Sequence, residues 1–445
     1  MLESGDPIVT YVDGQPDNYN SKPPLVVWTQ ALSLWIFGKN EVAARLPSAV
    51  AAFLTCLLLF EFIGRKLNDY RIAFVSIISL ASSTAWLGYH GVRFAETDST
   101  LFLFTTSYLL VFFEYLNKRS NRLLALFWIL VLCAVFSKGI VGLIFFGAIF
   151  LYLLWKRALL TEIKKPLHWI MLVISAALVF SYYFIREKLS PGYLEAVWIN
   201  ELGGRVDFTE AQLQHPVWYY FKALALERFA PWIFLVPIGI FYSLRSENQS
   251  FRSLGVFSSI MAFWFLLVMS IPEVKNSWYD LPALPFLAIL SGIGLIAILK
   301  LVLLPIPEKR RNFASVIIVL SLCAFPIYQQ RSRYYKPKDA PWDRGFYSIS
   351  HYLRDSMNDP SLLEGKSILY RGYHAHHLFY LDLLEDRNAS IDYQHDQFNV
   401  EIGDQVIYNQ DEIKQMLEAS FECEVVETQY ELLCYRILSA KTVKA

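Results

Sequence analysis

Long apolar runs separated by short polar loops recur along most of the chain. A run of roughly 17–25 apolar residues is long enough to cross the ~30 Å hydrocarbon layer of a bilayer as a helix. The sequence predicts about ten such helices, near 43–64, 72–90, 99–116, 122–136, 140–156, 168–185, 231–245, 253–271, 280–299 and 313–330. The pattern therefore predicts an α-helical polytopic membrane protein.

Three segments, 1–42, 186–230 and 331–445, lack this pattern, and they suggest the domain organisation. Residues 1–42 form an outer loop, 43–330 a transmembrane domain with a long loop at 186–230, and 331–445 a separate α/β domain. In the first segment, Pro23-Pro24 fixes the backbone for a helix start, so a short interfacial helix is predicted from Leu25 to Phe37. The last segment predicts a helix at Trp342–Met357, a strand at Ser367–Arg371 and a hairpin at Phe421–Ile437.

The composition agrees with the membrane class. Apolar residues make up 55% of the 445 residues and charged residues only 18%, below the ~25% typical of soluble domains. The net charge is zero, so bulk electrostatics give no reason to expect a nucleic-acid partner. The bilayer is the expected surrounding.

The basic residues predict the orientation. Short cytoplasmic loops are enriched in Lys and Arg, and one alternating set of loops carries Arg65, Lys66, Arg71, Lys118, Arg119, Arg122, Lys156, Arg157, Lys164, Lys165, Arg245, Arg252, Lys300, Lys309, Arg310 and Arg311. The short loops of the other set hold Arg93, Lys138 and Lys275. This places residues 1–42, 186–230 and 331–445 on the outer side of an inner or plasma membrane.

Cysteine and histidine usage predicts no metal or other cofactor. Cys56, Cys133 and Cys323 fall inside apolar runs and read as small apolar residues. Cys423 and Cys434 face each other if the terminal hairpin turns at Thr428-Gln429, and an oxidising compartment then allows a disulfide. The run Tyr373–His377 lacks further ligands at metal-site spacing.

Ionisable side chains collect at the outer ends of the predicted helices, where such groups are costly and mark function. They are Lys22, Arg45, Arg93, Glu96, Asp98, Lys138, Arg205, His215, Glu273, Lys275 and Tyr279. The set suits the transfer of a sugar from a polyprenyl phosphate to an acceptor hydroxyl. Cations then stabilise the charge on the departing phosphate, and a carboxylate takes the acceptor proton.

Candidate roles follow from this chemistry. Lys22, Arg205 and Lys275 are candidates for holding the phosphate, while Asp98 and Glu96 are the available carboxylates. Arg45, Arg93, Lys138 and His215 are supporting candidates.

Each assignment has a structural alternative. Lys22 alternatively anchors an interfacial helix by snorkelling. Arg93 and Asp98 alternatively form an ion pair at a helix end, and Ser137-Lys138-Gly139 a tight turn between helices.

The order and spacing of these residues resemble glycosyltransferase family 39, the C-type lipid-linked sugar transferases that include protein O-mannosyltransferases and aminoarabinose transferases. The resemblance rests on Lys22-Pro23-Pro24-Leu25 with Trp28, Glu41-Val42-Ala43-Ala44-Arg45-Leu46-Pro47-Ser48, Arg93-Phe94-Ala95 with Asp98, Ser137-Lys138-Gly139, His215-Pro216 with Tyr219-Tyr220, Pro231-Trp232, and Lys275 with Tyr279, Leu281-Pro282 and Pro285.

The resemblance implies a multi-pass inner-membrane enzyme. It implies a donor sugar on polyprenyl phosphate, undecaprenyl phosphate in a bacterium, and inversion of the anomeric centre. Lys22 matches the lysine that contacts the lipid phosphate, and Arg205 and Tyr279 match phosphate-side residues. Asp98 matches the family's acid five residues after an arginine. The acceptor is a lipid such as lipid A, a protein or a surface glycan.

The sequence departs from the family pattern in two places. Ser21 stands where aminoarabinose transferases usually carry an acidic residue. The family's Asp-Glu pair lies upstream of the position that matches Met1, so we expect the first helix and this pair to be missing from the chain. Two other readings therefore stay open: a transporter or channel, and an inactive truncated fragment.

Overall fold

The computed structural model describes residues 1–2, 4–202, 214–305, 307–335, 341–429 and 432–441. It divides into two compact units, Met1–Tyr334 and Tyr335–Ala445. The first is helical and membrane-spanning, and the second is a small α/β domain.

The helices of the first unit follow the apolar runs. They are α1 (Leu25–Phe37), α2 (Glu41–Leu67), α3 (Tyr70–Ser82), α4 (Thr84–Leu87), α5 (Thr97–Lys118), α6 (Asn121–Lys138), α7 (Phe145–Trp155), α8 (Leu159–Ile163), α9 (Pro166–Leu189), α10 (Tyr193–Glu201), α11 (Tyr219–Ala223), α12 (Val236–Arg245), α13 (Gln249–Ser270), α14 (Leu284–Val302) and α15 (Glu308–Tyr335). The first of them confirms the helix predicted after Pro23-Pro24.

Within the described residues, seven helical segments are long and apolar enough to cross a membrane, or eight if one bent pair counts as a single span. The seven coincide with seven of the ten predicted runs. The run at 231–245 belongs to the bent pair, whose arms Tyr219–Arg228 and Trp232–Arg245 meet at 111°. The runs at 72–90 and 140–156 contain the shorter apolar helices α3 and α7.

The predicted helix 72–90 was too long, for a local reason. Helix α3 ends at Ser82, and the Ser83 hydroxyl accepts a hydrogen bond from the amide of Trp86, which starts the separate turn α4. A Ser side chain that satisfies such an amide favours a helix start over a helix interior. The chain after Leu87 is consequently free to turn.

The second unit contains a five-stranded sheet in the order β4-β3-β5-β7-β6. Its strands are β3 (Lys366–Tyr370), β4 (Asp392–His395), β5 (Gln405–Tyr408), β6 (Phe421–Gln429) and β7 (Leu432–Ala440), and its helices are α16 (Pro341–Ser356), α17 (Ala375–Glu385) and α18 (Asp411–Ser420). A two-stranded ribbon, β1 (Tyr11–Val12) with β2 (Gln15–Pro16), belongs to the first unit. The predicted strand and terminal hairpin are present.

The predicted facing of Cys423 and Cys434 is wrong. Gln429 pairs with Leu432, so the turn lies beyond Thr428-Gln429, and two irregularities shift the register further. Cys423 therefore lies opposite Ile437, and the two cysteines do not form a disulfide.

Helices α12 and α14 pack at very short range through glycines. A Cβ atom on Gly294 would lie 2.2 Å from the carbonyl oxygen of Leu235, and one on Gly239 would lie 2.0 Å from that of Leu290. Both obstructing atoms are backbone, so the helices themselves would have to separate.

We therefore expect Gly294→Ala to destabilise the membrane unit by about 1–3 kcal/mol through overpacking. Gly345→Ala is the matched control, because the Cβ position of Gly345 in α16 is open and alanine is favoured over glycine in a helix by ~1 kcal/mol. Thermal unfolding of the detergent-solubilised chain gives the comparison. Equal transition temperatures for both variants would contradict the close packing.

Two adjacent histidines of the second unit are shielded from water, His377 buried and His376 half-buried. His377 Nδ1 lies 2.8 Å from the hydroxyl of Tyr393, and His376 Nε2 lies 3.0 Å from the carbonyl oxygen of Phe346. Burial, reinforced by the neighbouring histidines, lowers the pKa of His376 to about 4 and that of His377 to about 2. Both rings are therefore neutral in the fold at neutral pH.

In the unfolded chain these histidines have the ordinary histidine pKa of about 6.5 and bind protons below that pH, whereas in the fold they stay neutral. The free energy of unfolding therefore falls as the pH drops from 6.5 towards 4. Hydrogen exchange of the full chain should show faster exchange across β3 and α17 over this range. The variant His376→Gln/His377→Gln should lose part of this pH dependence, whereas exposed His351→Gln should keep it. Exchange rates independent of pH after correction for intrinsic chemistry would contradict the assignment.

Candidate functional site

The carboxylate of Asp98 and the ammonium of Lys138 form an ion pair between α5 and α6. Lys138 Nζ donates to Asp98 Oδ1 at 2.6 Å, and both side chains are buried. Asp98 lies in the first turn of α5 and Lys138 in the last turn of α6. Each charge is opposite in sign to the partial charge at its own helix end and is stabilised by it. Among the described residues Asp98 pairs with Lys138 and His90 rather than with Arg93, which is exposed.

A second group contacts Asp98 from the turn between α4 and α5. His90 Nδ1 lies 3.3 Å from Asp98 Oδ2 and 3.6 Å from a carboxylate oxygen of Glu96. The His90 ring stacks on Trp278, with centroids 4.0 Å apart and planes 7° from parallel. Neither His90 nor this stack was identified from the sequence, where the signal was a single histidine in Gly88-Tyr89-His90-Gly91.

Lys22 is held at the start of α1 by a residue that the sequence analysis missed. It forms an ion pair with Glu201 at the end of α10, and the hydroxyl of Ser21 donates to the same carboxylate oxygen at 2.7 Å. The side chains of Lys22 and Glu201 are 23% and 13% exposed. Lys22 is therefore half-buried and paired rather than simply extended towards the membrane surface.

The loop that carries Lys22 is tied to the segment after α9. Arg186 donates to the carbonyl oxygen of Asp17 at 3.0 Å, and the hydroxyl of Tyr193 donates to that of Ser21 at 3.0 Å. The hydroxyl of Ser190 bonds to the Asn18 side chain at 2.7 Å. These contacts fix the position of the lysine relative to Glu201.

A cavity of about 800 Å³ lies between this loop and helices α6, α9 and α10. Its polar lining includes Lys22, Lys138 and Glu201, and its walls are largely apolar, supplied by side chains such as Val135, Ile140, Leu143, Val179, Phe180 and Phe184. Only 6% of the residues in the most apolar stretch of α9 are buried by the described part of the chain. Most of that helix therefore faces the surroundings of the bundle. The cavity thus combines cations with an apolar wall.

Lys275 and Tyr279 lie in the connection between α13 and α14. Lys275 Nζ donates to the carbonyl oxygens of His215, at 2.7 Å, and Pro272, and its side chain is buried. Burial lowers the pKa of Lys275, opposed by the charge of Glu273. Burial also lowers the pKa of His215, with a further contribution from the charge of Lys275.

Tyr279 connects this segment to the first ion pair. Its ring lies 5.9 Å from Lys138 Nζ, and its hydroxyl accepts a hydrogen bond from the Asn276 side chain at 2.9 Å. A second ion pair missed from the sequence holds the segment in place. Arg228 donates to both oxygens of Asp280, at 2.7 and 2.5 Å, and Asp280 is fully buried.

The remaining candidates differ in placement. Arg45 is half exposed and lies 3.9 Å from Glu41 one turn earlier in α2. Arg205 lies outside the described residues. Of the predicted cations within the described part of the chain, Lys22 and Lys138 line the same cavity, whereas Lys275 does not.

Comparisons with known proteins bear on the family and the fold. A protein-family model described as dolichyl-phosphate-mannose-protein mannosyltransferase matches residues 21–184. An uncharacterized protein of Aquifex aeolicus is 26% identical over 297 residues, covering 66% of this chain and 56% of that protein. The undecaprenyl phosphate-alpha-4-amino-4-deoxy-L-arabinose arabinosyl transferase of Photorhabdus laumondii is 26% identical over 378 residues, covering 80% of this chain and 66% of that protein. The chain thus spans between half and two thirds of the length of these relatives.

Solved structures show the same fold. The chain matches ArnT from Cupriavidus metallidurans bound to undecaprenyl phosphate with a TM-score of 0.65 at 17% identity, covering 98% of this chain and 91% of that one. It matches the apo oligosaccharyltransferase of Archaeoglobus fulgidus with a TM-score of 0.51 at 14% identity, covering 83% and 57%. Together with the motifs that begin at Lys22-Pro23-Pro24, the family-model match supports the resemblance to glycosyltransferase family 39, and the solved structures show that the chain has the fold of the C-type membrane glycosyltransferases.

Proposed function

We propose that the protein transfers a sugar from a polyprenyl phosphate donor to an acceptor at the outer face of the inner membrane, with inversion at the anomeric carbon. The observation that carries the proposal is the cavity in which Lys22 and Lys138 share a largely apolar lining. A polyprenyl phosphate has the complementary chemistry, with an anionic head and a long apolar tail. The names of the arabinosyl transferase relatives support undecaprenyl phosphate as the carrier.

The ion pair of Lys22 defines how the donor would enter. The ammonium of Lys22 forms an ion pair with the carboxylate of Glu201. A donor phosphate would replace that carboxylate as the anionic partner, because phosphate and carboxylate both accept charged hydrogen bonds from lysine. The Glu201 carboxylate then lies where the donor phosphate would bind.

The other sequence candidates take roles consistent with their placement. Lys138 neutralises Asp98 and lies beside the cavity, while Tyr279 contacts Lys138 through its ring. Lys275 and His215 support the α13–α14 connection, and Arg205 is a further candidate for the donor phosphate. Arg45 and Arg93 are exposed and are candidates for contacting the acceptor or the lipid head groups.

Topology supports the outer face. Lys66, Arg119 and Lys165 lie near helix ends at the opposite side of the bundle from Lys22 and Lys138, among the basic residues predicted to be cytoplasmic. The positive-inside rule then places the cavity on the outer side, and we extend this to residues 335–445. The Photorhabdus laumondii relative and the two solved structures named above are glycosyltransferases, which favours transfer over the transporter or channel alternative.

Lys22→Ala should abolish sugar transfer while leaving the chain folded, because the site loses its charged contact with the donor phosphate. Lys66→Ala is the matched control. Lys66 also pairs with a glutamate, Glu114, and the two side chains are 19% and 20% exposed, but the pair is remote from the cavity. That variant should retain at least half of the wild-type rate.

The assay uses membranes containing the full chain, with synthetic undecaprenyl phosphate-linked mannose or aminoarabinose as donors. The readout is released undecaprenyl phosphate, together with mass spectrometry of lipid, glycan and protein fractions for the sugar gained. Near-normal transfer by Lys22→Ala, or an equal loss in both variants, would contradict the assignment of the phosphate site.

A further inference from the structure

The turn between α4 and α5 presents one imidazole towards the Asp98–Lys138 ion pair. Residues 86–92 turn tightly, with the amide of Val92 donating to the carbonyl oxygen of Trp86 at 2.9 Å. Gly91 is required there, because a Cβ atom would lie 2.2 Å from that oxygen. His90 adopts φ +57°, a left-handed conformation uncommon for residues other than glycine. Such conformations concentrate at functional sites.

Asp98 is poorly placed to take a proton itself. One of its oxygens accepts from Lys138 at 2.6 Å, and the other lies 3.3 Å from His90 Nδ1. The side chain is only 3% exposed. A carboxylate with both oxygens engaged by donors is stabilised in its charged form and binds a further proton weakly.

His90 has the opposite properties. We assign the proton of the neutral ring to Nδ1, because the neighbouring Asp98 carboxylate can only accept a hydrogen bond. Nε2 then carries a free lone pair. Among the described residues Nε2 has no hydrogen-bond partner, and it is not one of the fully buried atoms left without one. The Trp278 stack holds the ring plane while this nitrogen stays accessible.

We propose that His90 is the general base of the transfer reaction and that Asp98 is its orienting partner. The inference rests on the proposed function and names the class of acceptor, which is a hydroxyl group that must lose a proton. The arrangement is that of a base held in one tautomer by a buried carboxylate, a constellation that recurs on unrelated folds.

The step balances without another reactant. The acceptor oxygen bonds to the anomeric carbon as its proton passes to His90 Nε2, and the bond from that carbon to the phosphate oxygen breaks. The electron pair of that bond stays on the leaving polyprenyl phosphate. Asp98 stabilises the imidazolium that forms, and water removes its proton afterwards.

The charged and titratable groups around His90 come from four elements. They are Glu96 before α5, Asp98 in α5, Lys138 in α6 through its pair with Asp98, and Tyr89 beside His90 in the turn, whose ring lies 4.6 Å away. Glu96 is the competing base, because its side chain is 43% exposed and near the same imidazole. The test therefore includes Glu96→Gln.

His90→Gln should lower kcat by about 10²–10⁴-fold, the range for loss of a general base. His168→Gln is the matched control. His168 lies 3.3 Å from the buried carboxylate of Glu162 and has the same 16% side-chain exposure, but it follows α8 at the other end of the bundle.

The assay uses the full chain with synthetic undecaprenyl phosphate-linked mannose or aminoarabinose, and extracted membranes from cells lacking the gene as the acceptor source. Binding of undecaprenyl phosphate alone is measured in parallel and should be unchanged in His90→Gln. His90→Gly, which suits the left-handed backbone, should regain activity with added imidazole. Such rescue is not expected if His90 has a structural role alone.

The outcomes separate the two proposals. Transfer by His90→Gln at the wild-type rate, or a comparable loss of kcat in Glu96→Gln instead, would overturn the assignment of His90 while leaving the proposed function intact. An acceptor identified as a phosphate that is already ionised would also overturn it. Absence of transfer by the wild-type chain with every donor would overturn both proposals.

Discussion

A lysine and an aspartate that meet between two membrane helices determine much of the site. Asp98 begins α5 and Lys138 ends α6, so their ion pair fixes the two helix ends against each other. Removing one member of a buried pair leaves an unpaired charge and costs about 3–5 kcal/mol. Because the pair must stay intact, the turn that carries His90 and the wall of the cavity are held in one arrangement.

The same requirement explains how the site combines charge with an apolar setting. A cavity that accommodates a lipid needs apolar walls, yet it must also hold cations for a phosphate. Among the described residues, three cations of this region are paired with carboxylates: Lys22 with Glu201, Lys138 with Asp98, and Arg228 with Asp280. The first of these pairs is the more exposed, which suits an exchange of Glu201 for a donor phosphate.

Periodicity and composition were sufficient for the membrane unit, because the length of an apolar run directly reflects the thickness of the bilayer. The helix Leu25–Phe37 was also predictable, since Pro23-Pro24 marks its start. The end of α3 was not, because the Ser83 cap competes with an apolar run that continues through Leu87. The opposition of Cys423 and Cys434 failed because turn position and strand irregularities set the register, and neither has a strong sequence signal here.

For the site, residue type and position identified Lys22, Lys138 and Asp98 but not their partners. Glu201 lies 179 residues from Lys22, and Asp280 lies 52 residues from Arg228, so only the fold brings them together. His90 was missed for a related reason. Its role depends on the tight turn at Gly91 and on the stack with Trp278, which no local pattern indicates.

The account is tested most directly by an experimental structure of the full chain with undecaprenyl phosphate. It predicts the phosphate within hydrogen-bond distance of Lys22 Nζ, with the Glu201 carboxylate displaced and the prenyl chain along the apolar wall that includes Val179 and Phe184. The Asp98–Lys138 pair should remain intact. A bound phosphate elsewhere, with Lys22 still paired to Glu201, would contradict the central claim.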